Sequence, residues 1–287
     1  MTEPYRVIDA HVHFWDPAAL HYPWLNSEPA LCRAFLPDDL AALTVGALDG
    51  VVFVEANCLP GESVAECDFV DALALREPRI LGVVAFVDLC DAEGRHRSLA
   101  ALKRRERVVG VRHNIQRQPP GFSLQAEFVR GAQEVGGHAL TFDLCVTADQ
   151  VPEITELVRR CPGTNFVLDH CGKPSIATDS FEPWATELAR LAEHANVACK
   201  LSGLFSEARP EQRSDDIVRY AEHAMQSFGA SRLVYGSDWP VVTTVGGERA
   251  WHALVDAFVS EWSIERRQSF FADNAVRLYG LRQGAHR

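Results

Sequence analysis

Eight short apolar runs recur along the chain, at residues 6–10, 51–56, 80–87, 108–112, 139–146, 165–169, 197–201 and 233–236, separated by longer stretches with helical spacing. In those stretches Ile154, Leu157 and Val158, or Leu124, Phe128 and Val135, fall on one helix face. Strands that alternate with helices pair in parallel, because parallel neighbours need a crossover and helices must cover the sheet. Eight such units close on themselves, which predicts an α/β fold, a (β/α)8 TIM barrel, with residues 1–287 as a single domain. An open doubly wound sheet is the alternative. It calls for a Gly-rich turn after the first strand, where HVHFWDP stands instead.

The formal net charge of -11 argues against nucleic acid or an anionic membrane as the main partner and leaves a small molecule as the expected one. The start, MTEPYRVIDAHVHFW, has no basic segment followed by an apolar one, and no run of about 18 apolar residues occurs, so a cytoplasmic protein is expected. Eight cysteines stand singly without CxxC pairs, the pattern of free thiols. The helical stretches carry no heptad stripe, so a homo-oligomer is left open.

Two connections are longer than a barrel needs, residues 14–37 and 203–214. Loops after strand ends lie on the catalytic face of a barrel, so both are candidate pocket walls. The first carries Phe14, Trp15, Tyr22, Pro23 and Trp24, a set that either plugs the barrel mouth or meets substrate.

The chemistry concentrates at the same strand ends. His11 and His13 leave the first strand one residue apart, so alternation turns both the same way. The sixth strand runs into Asp169-His170-Cys171-Gly172-Lys173-Pro174, and the eighth into Gly236-Ser237-Asp238-Trp239-Pro240. A single His there can be structural, and Asp238 can cap the next helix. Barrel closure, however, makes strand one the neighbour of strand eight, so that His11, His13 and Asp238 converge with His170 two strands away. Three imidazoles and a carboxylate suit Zn2+ or Mn2+ with a place for water.

Further charges follow other strands: Glu55, Arg112, His113, Asp143 and Lys200. Charges inside a barrel are costly unless paired or used, so a salt bridge such as Lys200 with Glu55 or Asp143 is expected among them. Arg112 is the best candidate for substrate, since its planar fork suits carboxylates and hydroxyl-rich ligands. Glu55, His113, Asp143, Lys173, Lys200, Trp15 and Trp239 are the other candidate substrate contacts.

IDAHVHFWDP, GVRHNIQ, LDHCGKP, CKLSGL and YGSDWPV, in this order and at these spacings, resemble the lactonase branch of the amidohydrolase superfamily, over about residues 7 to 279. The branch includes hydrolases of sugar lactones and of dicarboxylic lactones. The resemblance implies that His11, His13, His170 and Asp238 occupy the metal and catalytic positions. Members with two metals use a modified lysine on strand four and a histidine on strand five. Arg112 and Asp143 stand there, which implies one divalent ion at most, and some lactonases of the branch use none. No organic cofactor is expected. The implied reaction is attack of water on a lactone carbonyl, with Asp238 as general base and a metal ion, or Arg112 and His170, polarising the carbonyl oxygen. The rival readings are a metal-dependent decarboxylase or cyclic-amide hydrolase of the same superfamily, and a non-catalytic barrel that binds a sugar acid.

Overall fold

The computed structural model describes residues 5–41, 48–212 and 214–282. Residues 1–4, 42–47 and 283–287 of the expected domain, and Arg213 of the second long loop, lie outside them. All eight expected strands form: β1 Val7–Val12, β2 Leu48–Val54, β3 Ile80–Phe86, β4 Val108–Arg112, β5 Thr141–Leu144, β6 Asn165–Leu168, β7 Val197–Leu201 and β8 Leu233–Tyr235. Each pairs in parallel with the next in sequence order. The ring closes at a parallel bridge between Val12 and Trp239, with the His13 N–H donating to the Trp239 carbonyl (2.8 Å) and the Asp238 N–H to the His11 carbonyl (3.0 Å). The fold is the expected (β/α)8 barrel.

The helices are α1 Pro37–Ala41, α2 Ser63–Ala74, α3 Ala92–Leu102, α4 Ala126–Gly137, α5 Val151–Arg160, α6 Trp184–Ala192, α7 Ser214–Phe228, α8 Glu248–Phe258, α9 Ile264–Gln268 and α10 Asn274–Tyr279. Local chemistry starts them: the Asp91 side chain accepts from the Gly94 N–H (3.0 Å) at the head of α3, and Thr147 and Gln150 form a reciprocal cap before α5. The stripe read from sequence on α5, Ile154, Leu157 and Val158, is buried against the sheet. Among the described residues no helix is long and apolar enough to cross a membrane, and all eight cysteines are free.

Strands covered on both faces are apolar on both faces. Val51, Phe53, Val83 and Phe142 face the helices, whereas Ile8, Ala10, Val52, Val54, Val84, Val167 and Val234 form a separate cluster with Ala272, Ala275, Tyr279 and Leu281 of the last helical segment. Tyr279 thus reaches into the barrel interior, where its hydroxyl donates to Asp143 Oδ2 (2.9 Å). Several strands end one or two residues from their sequence limits. β2 stops at Val54 and leaves Glu55 beyond it, and β1 continues through His11.

Candidate active site

The site lies at the C-terminal ends of the strands, in a cavity of 480 Å³ lined by His13, Arg112, His170, Lys173 and Asp238, with Trp24 and the amides Asn57, Asn114 and Gln116 on its walls. Three local features place its imidazoles and carboxylate. The β1–β2 register slips between Asp9 and Val12, a bulge that re-aims the strand at His11. Asp9 Oδ1 accepts from the backbone N–H groups of His11 (3.0 Å) and Ser237 (2.9 Å), which ties β1 to the turn after β8. His170 and Asp238 both adopt left-handed backbone, φ 53° and 63°. Non-glycine residues persist in such conformations when their surroundings over-determine them, commonly at functional sites.

Two glycines allow the close packing behind these residues. A Cβ on Gly236 would stand 2.9 Å from His11 Cβ, and one on Gly203, itself at φ 66°, would stand 2.5 Å from His170 Nδ1. His170 Nδ1 is hydrogen-bonded to Ser202 Oγ (2.9 Å), so its Nε2 points to Asp238.

The donor atoms meet as the sequence suggested. His11 Nε2 and His13 Nε2 are 3.1 Å apart, and Asp238 Oδ1 lies 3.7 Å from the first, 3.5 Å from the second and 3.9 Å from His170 Nε2. His13 Nδ1 donates to the Val54 carbonyl (2.7 Å), which leaves a lone pair on Nε2. Assigning the His11 proton to Nδ1, against Asp169 Oδ1 at 3.2 Å, turns a second lone pair toward the first. Two facing lone pairs beside a carboxylate call for a cation. Ligands about 2.0 Å from a tetrahedral ion are about 3.3 Å from each other, close to the spacing of His11, His13 and Asp238. The residues present therefore fit a divalent metal ion.

Burial lowers the proton affinity of His170, to a pKa of about 4, and holds His11 well below the ordinary imidazole value, with Lys200 adding to the effect. Burial acts on Asp238 in the raising direction. The surrounding His170, His13 and His11 outweigh it and hold the carboxyl well below its usual range. At neutral pH the site therefore presents the Asp238 carboxylate beside the neutral imidazoles of His11 and His170.

The remaining charges are sorted by where they sit. Arg112 borders the cavity, but its Nε donates to Glu55 Oε1 (2.6 Å), its Nη2 to the Glu55 carbonyl (2.5 Å) and its Nη1 to Asp169 Oδ2 (3.3 Å). Lys200 Nζ lies 2.6 Å from Asp143 Oδ2, 3.0 Å from Asp169 Oδ1 and 3.1 Å from His11 Nδ1. Of the pairs expected from sequence, Lys200 with Asp143 forms, and Glu55 goes to Arg112. Glu55, Asp143 and Lys200, read as candidate substrate contacts, are instead buried beneath the cavity floor, where each charge is taken up by a neighbour. His113 accepts from the Leu89 N–H (3.1 Å) and packs among Phe86, Phe122 and Phe128, away from the cavity. Trp15 and Trp239 also stand outside the cavity lining. Both are fully buried, Trp15 donating to the carbonyls of Leu31 and Arg33 and Trp239 packing on Phe14 and Phe35.

The first long loop does both things expected of it: Phe14, Trp15 and Tyr22 plug the structure beneath, while Pro23 and Trp24 form cavity wall. From the second, Gly203 backs His170, and Glu207 acts electrostatically on Lys173. Sequence reasoning passed over Asp169, which joins His11, Arg112 and Lys200 into one network, and the wall residues Asn114, Gln116 and Arg117. The available signal for Asp169 was its place as the first polar residue after the apolar run of the sixth strand, directly before His170. A run of amides just after β4 was the signal for the wall.

Behind the floor, burial and the neighbouring Glu55 push the Glu66 carboxyl up to about 8 while its Oε1 accepts from the Ala56 N–H (3.0 Å). The folded protein thus holds a proton that the unfolded chain releases near pH 4.5. Between about pH 4.5 and 8 the unfolded state binds fewer protons, so this group makes stability fall as pH rises, with a slope of up to about 1.4 kcal/mol per pH unit. Glu66→Gln is expected to flatten that slope. Urea unfolding of both proteins at pH 5, 6, 7 and 8 checks it, and parallel curves would refute it.

Comparison with known proteins agrees with the geometry. The family profile described as Amidohydrolase matches residues 8–281. The chain is 33% identical to an L-fucono-1,5-lactonase of Burkholderia multivorans over 97% of each chain, and 33% identical to one of Burkholderia ambifaria over 96% of this chain and 95% of that one. Among solved structures, a Burkholderia multivorans amidohydrolase crystallised with bound zinc superposes with a TM-score of 0.87, at 32% identity over 96% of this chain and 100% of that one.

Proposed function

The chain belongs to the amidohydrolase family and is a hydrolase, and from that premise we propose that it opens a small sugar lactone to its hydroxy acid. The observation that carries the reading is the convergence of His11, His13 and His170 on Asp238 Oδ1 at the floor of a cavity large enough for one sugar ring. The relatives named as L-fucono-1,5-lactonases support it. Arg112 is already matched by Glu55 and Asp169, and beside Lys173 and Arg117 the walls carry the amides of Asn57, Asn114 and Gln116, which suit hydroxyl groups.

His11, His13 and Asp238 would hold a divalent ion with His170 beside it, for which the nitrogen-rich set favours Zn2+ over Mn2+. Such an ion supplies Lewis acidity toward the lactone carbonyl. Asp238 takes the proton of the attacking water as the water oxygen bonds to the carbonyl carbon. The bond from that carbon to the ring oxygen then breaks, and Asp238 returns the proton to the leaving alkoxide. His170, neutral and fixed by Ser202, orients the carboxylate. Lys173, whose ammonium donates to Gln116 Oε1, turns a positive charge toward the cavity and steadies the carbonyl oxygen as it gains charge. The whole chain acts as one catalytic domain.

A pH-indicator assay across sugar and dicarboxylic lactones, with and without chelator, tests the proposal. Acid release from sugar 1,5-lactones, weaker on dicarboxylic ones and lost with chelator, is the expected result. Carbon dioxide release from aromatic acids or cleavage of cyclic amides, without lactone turnover, would overturn it. Lys173→Met should lower kcat/KM by about 10- to 100-fold, as expected for one charged hydrogen bond. A steady-state comparison at fixed pH measures it, and an unchanged value would remove Lys173 from the site.

A further inference from the structure

On the outer ring of helices, His96 of α3 and Glu134 and His138 at the end of α4 place one ligand atom each within 4.8 Å of one another. We propose that these three side chains form a second divalent-cation site, of Zn2+ type, that clips α3 to α4 and acts on stability rather than on turnover.

The arrangement follows from helix geometry and one buried residue. Glu134 and His138 are four residues apart, so they lie one above the other on one face, and the His138 N–H still donates to the Glu134 carbonyl (3.1 Å). His96 approaches from the neighbouring helix, its Nδ1 2.7 Å from Glu134 Oε1. The other carboxylate oxygen, Oε2, is held by Arg95 Nε (2.8 Å). Arg95 is itself buried and anchored to the Leu89 carbonyl (2.7 Å), so Glu134 is oriented from behind with one oxygen left toward the two rings. A carboxylate fixed in this way by an outer partner is how metal ligands are usually pre-oriented. The His96 and His138 rings, with centroids 6.5 Å apart, flank it.

Two imidazoles and a carboxylate are a common protein set for Zn2+, which water completes. For a tetrahedral ion His96 Nδ1 and Glu134 Oε1 must part from 2.7 Å to about 3.3 Å. His96 has the freedom to do this, since its side chain is 73% exposed. The site is also separate from the cavity: its residues belong to the outer helices α3 and α4, and none of the three lines the cavity.

The test is calorimetric titration of chelator-stripped full-length protein with ZnCl2, together with thermal unfolding with and without the metal. For the parent chain we expect one more Zn2+ equivalent than for His96→Gln, His138→Gln or the double variant, and a Zn2+-dependent rise in Tm that the variants lose. Turnover should change less than twofold in the variants. Equal stoichiometry and an equal Tm response in parent and variants would overturn the proposal, as would loss of turnover accompanying loss of the ion. Both binding readouts are independent of whether the substrate is a lactone.

Discussion

Asp238→Asn is expected to lower kcat/KM for lactone opening by about 10²- to 10⁴-fold, the range supplied by a positioned general base. The amide keeps the shape of the side chain. The backbone contacts that position residue 238, from its N–H to the His11 carbonyl, do not involve the side chain, so the fold should persist. What disappears is the negative charge surrounded by His11, His13 and His170 and, in the proposed mechanism, the atom that carries the proton between water and leaving alkoxide. Initial rates on the best lactone, with circular dichroism to confirm folding, decide the matter. Lactone hydrolysis within threefold of the parent would show that Asp238 is not the base.

The second large effect concerns stability. Lys200 is completely buried and faces Asp143 and Asp169 at once. Lys200→Met conserves volume but strands two carboxylates in the barrel interior with reduced compensation. Breaking a buried pair from one side costs about 3–5 kcal/mol. That is a large part of the stability of an ordinary domain. Adding Asp143→Asn should recover part of the loss, because it removes one of the stranded charges while the new amide can still accept from Tyr279. Urea unfolding of the parent, the single and the double variant forms the test. A single variant within 1 kcal/mol of the parent would mean that these charges are compensated in another way.

The architecture was largely legible in the chain because parallel strands are buried on both faces and read as apolar runs, and because their ends carry the polar residues. His11, His13, His170 and Asp238 stood out for that reason. The division of labour among the other charges was not legible. Which way Glu55 or Asp143 points depends on where β2 and β5 end, within one or two residues, and such limits are set by tertiary pairing. The left-handed turn at His170, Cys171 and Lys173 breaks the alternation on which a sequence argument rests. Aromatic residues were ambiguous for a different reason: Trp15 and Trp24 occupy one loop and differ only in which of them the barrel mouth covers.

The closure between β1 and β8 also orders events in time. His11 and His13 leave the ribosome early, yet their hydrogen-bonded neighbours at Asp238 and Trp239 follow more than two hundred residues later. Contacts of such long sequence separation form slowly, since a long loop must be closed before they contribute. The nascent chain therefore has six or seven strands to pair before any catalytic centre exists. During refolding, recovery of turnover should lag behind recovery of helical signal, because the candidate site is complete only when β1 and β8 have joined.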